Sequence, residues 1–268
     1  MQQDLQRPSI RAIGAVNWIG LATLYSKEVQ RFLRVFIQTV LAPVVQTLLF
    51  MAVLALAWGQ ARGEVLGVPF TQFLGPGLVM MAILGNAFQN SSSSLMVAKM
   101  QGISVDFMMP PLSAAELTAA FVGGAATRGL LVGAASFVAI LPFTPVALHH
   151  PLAIVYFAVS ASVMMGAAGM LAGVWAQKFD HIAAVGNFVI TPLTFLSGTF
   201  YSVAVLPDTL EMVTRWNPFF HLIDGFRYGF IGQADGGVLA GAIYVGVVDI
   251  AVVAVVYLVM KSGWRMKS

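Results

Sequence analysis

Six apolar stretches, each near the ~20 residues needed to cross ~30 Å of hydrocarbon, leave this chain one solvent in which to fold. They run from about Val35 to Trp58, Phe73 to Phe88, Ala114 to Ile140, Pro151 to Trp175, Ile182 to Thr199 and Val238 to Met260. A bilayer core offers no water to unpaired backbone groups, so each stretch is expected to cross as a helix. Only 9% of residues are charged, against roughly a quarter in a soluble domain. The chain has no cysteine, which removes disulfides, thiolate metal sites and a cysteine nucleophile. Its net charge of +3 is unevenly placed and speaks of membrane orientation, not of nucleic acid. The N-terminus shows no short apolar run with a small-residue cleavage site, so insertion is expected to rely on the internal spans.

Ahead of the first span, Ile10 to Arg34 sets Trp18, Leu21, Leu24 and Phe32 at about helical spacing against Arg11, Lys27, Glu28, Arg31 and Arg34. That pattern suits an amphipathic helix in the membrane interface, with a solvated cytoplasmic helix as the other reading. Pro43 predicts a kink, and Gln38 and Gln46 are polar points that should face protein. The second stretch runs into four serines, Ser91 to Ser94, which read as a hinge, a polar lining or the wet end of a long helix. Beyond them, Lys99, Gln101, Ser104 and Asp106 alternate with Met100, Ile103, Phe107 and Met108, a short amphipathic helix ended by Pro110-Pro111.

Basic residues stay on the cytoplasmic side. With the N-terminus inside, the inner segments hold Arg7, Arg11, Lys27, Arg31, Arg34, Lys99, Lys178, Lys261, Arg265 and Lys267, and the outer ones only Arg62, Arg215 and Arg227. Both termini are therefore expected in the cytoplasm. No phosphate loop of the form G-x-x-x-x-G-K-[ST] and no H-E-x-x-H occurs, so neither ATP binding by that route nor zinc hydrolysis is expected of this chain. His149-His150 reads as an ordinary loop before a metal site, and the serines lack a nucleophile turn for intramembrane proteolysis.

Two charges fall within spans, Arg128 in the third and Asp249 in the sixth. Each costs about 2.5 to 3.5 kcal/mol on the insertion scale, so each should face protein or water. They are expected at similar depth and to pair, as a packing ion pair or as part of a pathway. Gly129-x-x-x-Gly133 and Gly169-x-x-x-Gly173 allow close helix approach, in a tight bundle or at a subunit contact. The paired methionines read as adaptable packing.

After the fifth span the chain does not stop in a loop. From Ser197-Gly198 it continues through Tyr201, Leu206-Pro207, an amphipathic piece with Asp208, Glu211 and Arg215 on one side, and Asn217-Pro218. This suits a helix that re-enters the outer leaflet and acts as an outer gate built on Gly198, Tyr201, Pro207, Asn217 and Pro218. A surface-lying helix is the alternative.

An N-terminal interfacial helix, six spans, an amphipathic segment ending in Pro110-Pro111-Leu112 and the run Pro192-Leu193-Thr194-Phe195-Leu196-Ser197-Gly198 through Asn217-Pro218 together resemble the permease subunit of an ABC-2 type transporter. The piece Phe226 to Phe230, FRYGF, and the surroundings of Arg128 are most similar to the bacterial exporter branch, in which permease and ATPase are separate chains. The resemblance implies a cytoplasmic N-terminus and interfacial helix over 1–34, and a six-helix transmembrane domain over 35–268. Within that domain it implies a coupling helix at about 98–109 and a re-entrant outer segment at about 200–232 between spans five and six. It implies that Lys99, Gln101, Gly102, Ile103, Ser104, Asp106 and Phe107 dock on the ATPase, and that Lys27, Glu28 and Arg31 also contact that side. It further implies a bacterial inner-membrane location, a second copy of the permease, lipid neighbours and export of a hydrophobic or lipid-linked substrate. No cofactor is expected on this chain, nor catalysis by it, with ATP and magnesium bound through the partner ATPase. A secondary transporter or channel without an ATPase is the alternative.

Overall fold

The computed structural model describes residues 14–102, 112–145 and 147–264. It contains six helices long and apolar enough to cross a membrane among the described residues. In chain order these are α2 (Ala42–Arg62, extended at its start by a π-helical stretch at Ile37–Leu41), α3 (Phe70–Met100), α4 (Ala114–Ile140), α5 (Pro151–Trp175), α6 (Phe179–Leu196) and α9 (Val238–Ser262). Helix α1 (Trp18–Leu33) precedes them, and α7 (Asp208–Trp216) and α8 (Pro218–Ile231) lie between α6 and α9. A small hairpin, β1 (Glu64–Val65) with β2 (Val68–Pro69), joins α2 to α3. All six expected spans are present.

Burial among the spans does not track apolarity: α6, with the same mean hydropathy of 1.3 as α3, buries only 6% of its apolar window. α3 has a mean hydropathy of 1.3 and buries 78% of its apolar window, whereas α2 and α9, at 2.3 and 2.5, bury 22% and 17%. Lipid tails are as apolar as leucine, so helix association here follows from close packing and not from hydrophobicity. Accordingly α3 is the central post, with Phe73, Leu78, Met80 and Leu84 in one core with Phe157 and Met164 of α5 and Phe226 of α8. Both small-residue motifs face this post. A Cβ on Gly169 of α5 would fall 2.4 Å from the Phe88 carbonyl oxygen, and one on Gly133 of α4 would fall 2.5 Å from Ile83. They serve the bundle.

Three local differences from the sequence reading have physical causes. The second span does not fray at the serines: α3 continues to Met100, and Ser91, Ser92 and Ser94 are buried. Ser91 donates to the Gly166 carbonyl at 2.6 Å and Ser92 back to Phe88 at 2.8 Å, so small hydroxyls satisfied on carbonyls replace water. Helix α1 starts at Trp18, after the non-helical residues 14–17, because Asn17 caps it through Gly20 N–H at 2.9 Å, while Ile10 lies outside the described residues. The Asn17 N–H itself donates to the Glu116 carboxylate, which also closes a capping box with Ser113 at the start of α4. One carboxylate therefore caps two helix starts.

The third difference removes an expected surface residue. Glu28 is fully buried against α4 and α3, accepting from Ser94 at 2.7 Å and from Arg31 at 3.2 Å, while Arg31 also donates to Asn90 Oδ1 at 3.0 Å. A carboxylate so enclosed is not presented for an ATPase contact; the amphipathic pattern of α1 hid that its charged side is partly its packed side.

Candidate functional site

Helix α3 carries a polar stripe at helical spacing, Asn86, Asn90 and Ser94, in an otherwise apolar core. Each of its two amides holds a guanidinium: Asn90 takes Arg31, and Asn86 accepts from Arg128 Nη2 at 3.0 Å. The Asn86 amide is oriented by its own donation to the Ala82 carbonyl at 3.0 Å. Arg128 is 6% exposed, and its Nε has no partner. Beside it a cavity of about 250 Å³ opens between α2, α3, α4 and α6, with Gln38, Gln46, Gln89, Thr47, Thr191 and Thr194 among its walls and no carboxylate. Phe50 and Phe195 separate it from a wholly apolar groove of about 320 Å³ lined by Leu54, Trp58, Phe200 and Tyr201.

The expected pairing of Arg128 with Asp249 is not formed. Asp249 lies in a different groove, of about 580 Å³, among Thr118, Val122, Val163 and Tyr257, where its Oδ1 has no hydrogen-bond partner. The cause is azimuth: α9 covers the α4 face that carries Thr118 and Val122, while Arg128 is turned to α3 and Asn86. Depth can be read from position in a span; the face presented to a distant helix cannot.

The two outer walls of the Arg128 cavity share a construction. In α2 a π-helical stretch, Ile37–Leu41, ends two residues before Pro43, and in α6 another, Gly186–Ile190, ends two residues before Pro192. Proline lacks an N–H and its ring crowds the carbonyl of the preceding turn, so the helix widens there. Thr191 caps the loosened turn by donating to the Gly186 carbonyl at 3.0 Å. The kink expected from Pro43 is thus a π stretch, with a counterpart that the sequence reading did not anticipate.

At the far end of α3, Lys99 donates to the Gly173, Val174 and Ala176 carbonyls, filling the C-terminus of α5 with the cation that a helix end favours. Gln101 and Gly102 form the turn that ends α3, Gly102 at φ +69°. Ile103, Ser104, Asp106 and Phe107, the rest of the expected docking set, lie outside the described residues.

The α6–α8 segment brings most of the expected gate residues together. Gly198 adopts φ +77°, which reverses the chain after α6. Tyr201 Oη donates to the Leu196 carbonyl at 3.0 Å, and Asn217 Nδ2 to Ser197 Oγ at 2.7 Å and the Leu193 carbonyl at 3.0 Å. Asn217 also caps α8, accepting from Phe219 N–H at 3.1 Å. Pro207 and Pro218 bracket α7, whose Met212, Val213 and Trp216 stay exposed. The piece buried in the bundle is instead α8.

Helix α8 holds the residue that the sequence reading undervalued. Arg227, counted only as an outer basic residue, is 1% exposed. It donates to the Phe73 carbonyl at 3.1 Å and the Gly198 carbonyl at 2.6 Å, and its guanidinium sits 3.8 Å from the Phe73 ring centre. The signal was an arginine inside an aromatic run, one helical turn after an acid, Asp224. One turn earlier, burial raises the Asp224 carboxyl above its usual range, against the Asp235 and Gly236 N–H groups and the Arg227 charge, which lower it. Those amides donate to it at 2.8 and 2.9 Å, and Asp235 in turn accepts from Ser202 and Val203, tying the loop before α9 to the chain after α6.

The sequence profile of ABC-2 type transporters matches residues 20–231. The chain is 37% identical over 218 residues to the inner membrane transport permease YadH of Escherichia coli K12, covering 81% of this chain and 85% of that protein. It is 26% identical over 249 residues to nodulation protein J of Rhizobium leguminosarum bv. viciae, covering 90% and 91%.

Proposed function

Since the chain belongs to the ABC-2 type transporter membrane family and is a multi-pass inner-membrane transport permease whose ATP hydrolysis lies in a separate subunit, we propose that two copies form the pathway of an ATP-driven exporter. The observation that carries this reading is the polar cavity at Arg128, bordered by α2 and α6, spans that bury only 22% and 6% of their apolar windows. Amide and guanidinium groups at membrane depth require protein or water beside them. A second copy facing α2 and α6 would supply that enclosure. The exposed stripe Ile37, Leu41, Val45, Leu49 and Val53 flanks the cavity residues Gln46 and Phe50 and would form the seam.

In this reading the basic α1 end faces the cytoplasm, and the segment over 98–109 docks on the ATPase, where ATP and magnesium bind. Closure of the ATPase pair shifts the spans between two packings by its differential affinity for them. The turn at Gly198, Tyr201 and Asn217, with α7 beyond it, closes the outer end. The cargo is a hydrophobic or lipid-linked compound, in keeping with the apolar groove beyond Phe50 and Phe195.

The chain has no cysteine, so single replacements give a clean cross-linking background. Leu49→Cys and Val247→Cys are equally exposed, at 61%. In membranes holding the permease with its candidate ATPase, Leu49→Cys is expected to cross-link copy to copy and Val247→Cys not. The ATPase should co-purify and show lipid-reconstituted, vanadate-sensitive turnover. Loss of the Leu49 cross-link would remove the seam, and transport without any associated ATPase would establish a secondary transporter instead.

A further inference from the structure

Arg128 is a cation at membrane depth that no carboxylate balances among the described residues. Its one hydrogen bond is to a neutral amide, and its Nε is buried without an acceptor. A buried charge held so sparsely is costly, and the cost falls when an anion enters. The cavity is built for such a guest. Gln38, Gln46 and Gln89 supply amides able to turn N–H groups inward, and these with Arg128 are its donors, since the hydroxyl protons of Thr47, Thr191 and Thr194 already go to the carbonyls of Pro43, Gly186 and Ile190. Its volume of about 250 Å³ is below the ~300 Å³ of a small drug site, so it suits a headgroup and not a whole amphiphile. The apolar continuation past Phe50 and Phe195 is where an attached chain would lie.

We propose that the Arg128 cavity binds the oxyanion head, phosphate or carboxylate, of an amphiphile whose apolar body lies along the Phe50, Trp58, Phe195 and Tyr201 groove. This rests on the permease reading and narrows its cargo. A cationic head would meet the guanidinium as a like charge, and a neutral one would leave its charge unbalanced. A free inorganic anion shares the head chemistry but gains nothing from the groove, so chain dependence separates the two sources.

The test uses the full-length permease in nanodiscs of zwitterionic lipid, with thermal unfolding followed during titration of dodecyl phosphate, dodecanol, dodecyltrimethylammonium and inorganic phosphate. Dodecyl phosphate is expected to stabilise most. Arg128→Gln should weaken its apparent affinity about ten- to hundredfold, the worth of a charge-assisted hydrogen bond, and Arg128→Lys should restore part of it. Gln46→Leu, which leaves the Arg128–Asn86 contact in place, should weaken it several-fold and decides the matter if Arg128→Gln does not fold. Equal stabilisation by dodecanol, unchanged discrimination in the variants, or saturation by inorganic phosphate at the same concentration would each overturn the proposal. Because no ATPase is present, these outcomes are independent of whether one associates: binding can fail while co-purification succeeds, and then only the cargo class falls.

Discussion

Arg227→Leu is expected to lower the unfolding free energy of the permease by about 3 kcal/mol or more, read from reversible unfolding in mixed micelles. Leucine fills part of the space but donates nothing, leaving the Phe73 and Gly198 carbonyls without the donor that now satisfies them. An unpaired buried acceptor costs roughly 1–3 kcal/mol, and the stacked cation adds about 2 when desolvated. The damage is not confined to α8, because Arg227 fastens the start of α3 to the turn that ends α6. Arg227→Lys should fall between, since an ammonium keeps the charge but cannot fork to two carbonyls from one plane. A leucine variant within ~1 kcal/mol of the parent would show that those carbonyls find other donors.

The second large effect is expected at Gly169. Its Cβ would lie 2.4 Å from both the Phe88 carbonyl oxygen and Ser91 Oγ, and a backbone oxygen in a helix cannot step aside. Gly169→Ala should therefore push α5 off α3, break the Ser91–Gly166 bond and cost about 1–3 kcal/mol, with Gly169→Val worse. Gly85→Ala is the matched control: nothing lies within 4 Å of a Cβ there, so stability should hold or rise slightly. If both alanine variants behave alike, close approach at Gly169 does not hold the bundle.

What was legible in the sequence follows from what one-dimensional patterns encode. Span positions were legible because hydrocarbon thickness sets a length, and every expected span appears within a few residues, save α3. That helix was cut short because Gln89, Asn90 and the serines lower its hydropathy, although Asn90, Ser91, Ser92 and Ser94 are polar for the opposite reason, being on the inner face of the bundle. The bounds of α7, between Pro207 and Pro218, were readable from the prolines; that the helix beyond Pro218, α8, is the buried one was not. Arg128 was singled out correctly as a charge that needs company. Its company came from α3, and the cue was the i, i+4, i+8 polar stripe on that helix and not the lone acid on α9.

The π-helical stretches in α2 and α6 have a geometric corollary. Each accommodates one residue more than the α-helix around it, so if such a stretch moves along its helix, the residues it passes turn by about 100° and advance by about 1.5 Å. Passed through α2, it would take Gln46 out of the cavity wall and bring a neighbour such as Val45 in, and passed through α6 it would turn Thr191 out of the wall in the same way. A screw step of one residue, with both helix ends in place, would repaint the wall from wet to dry.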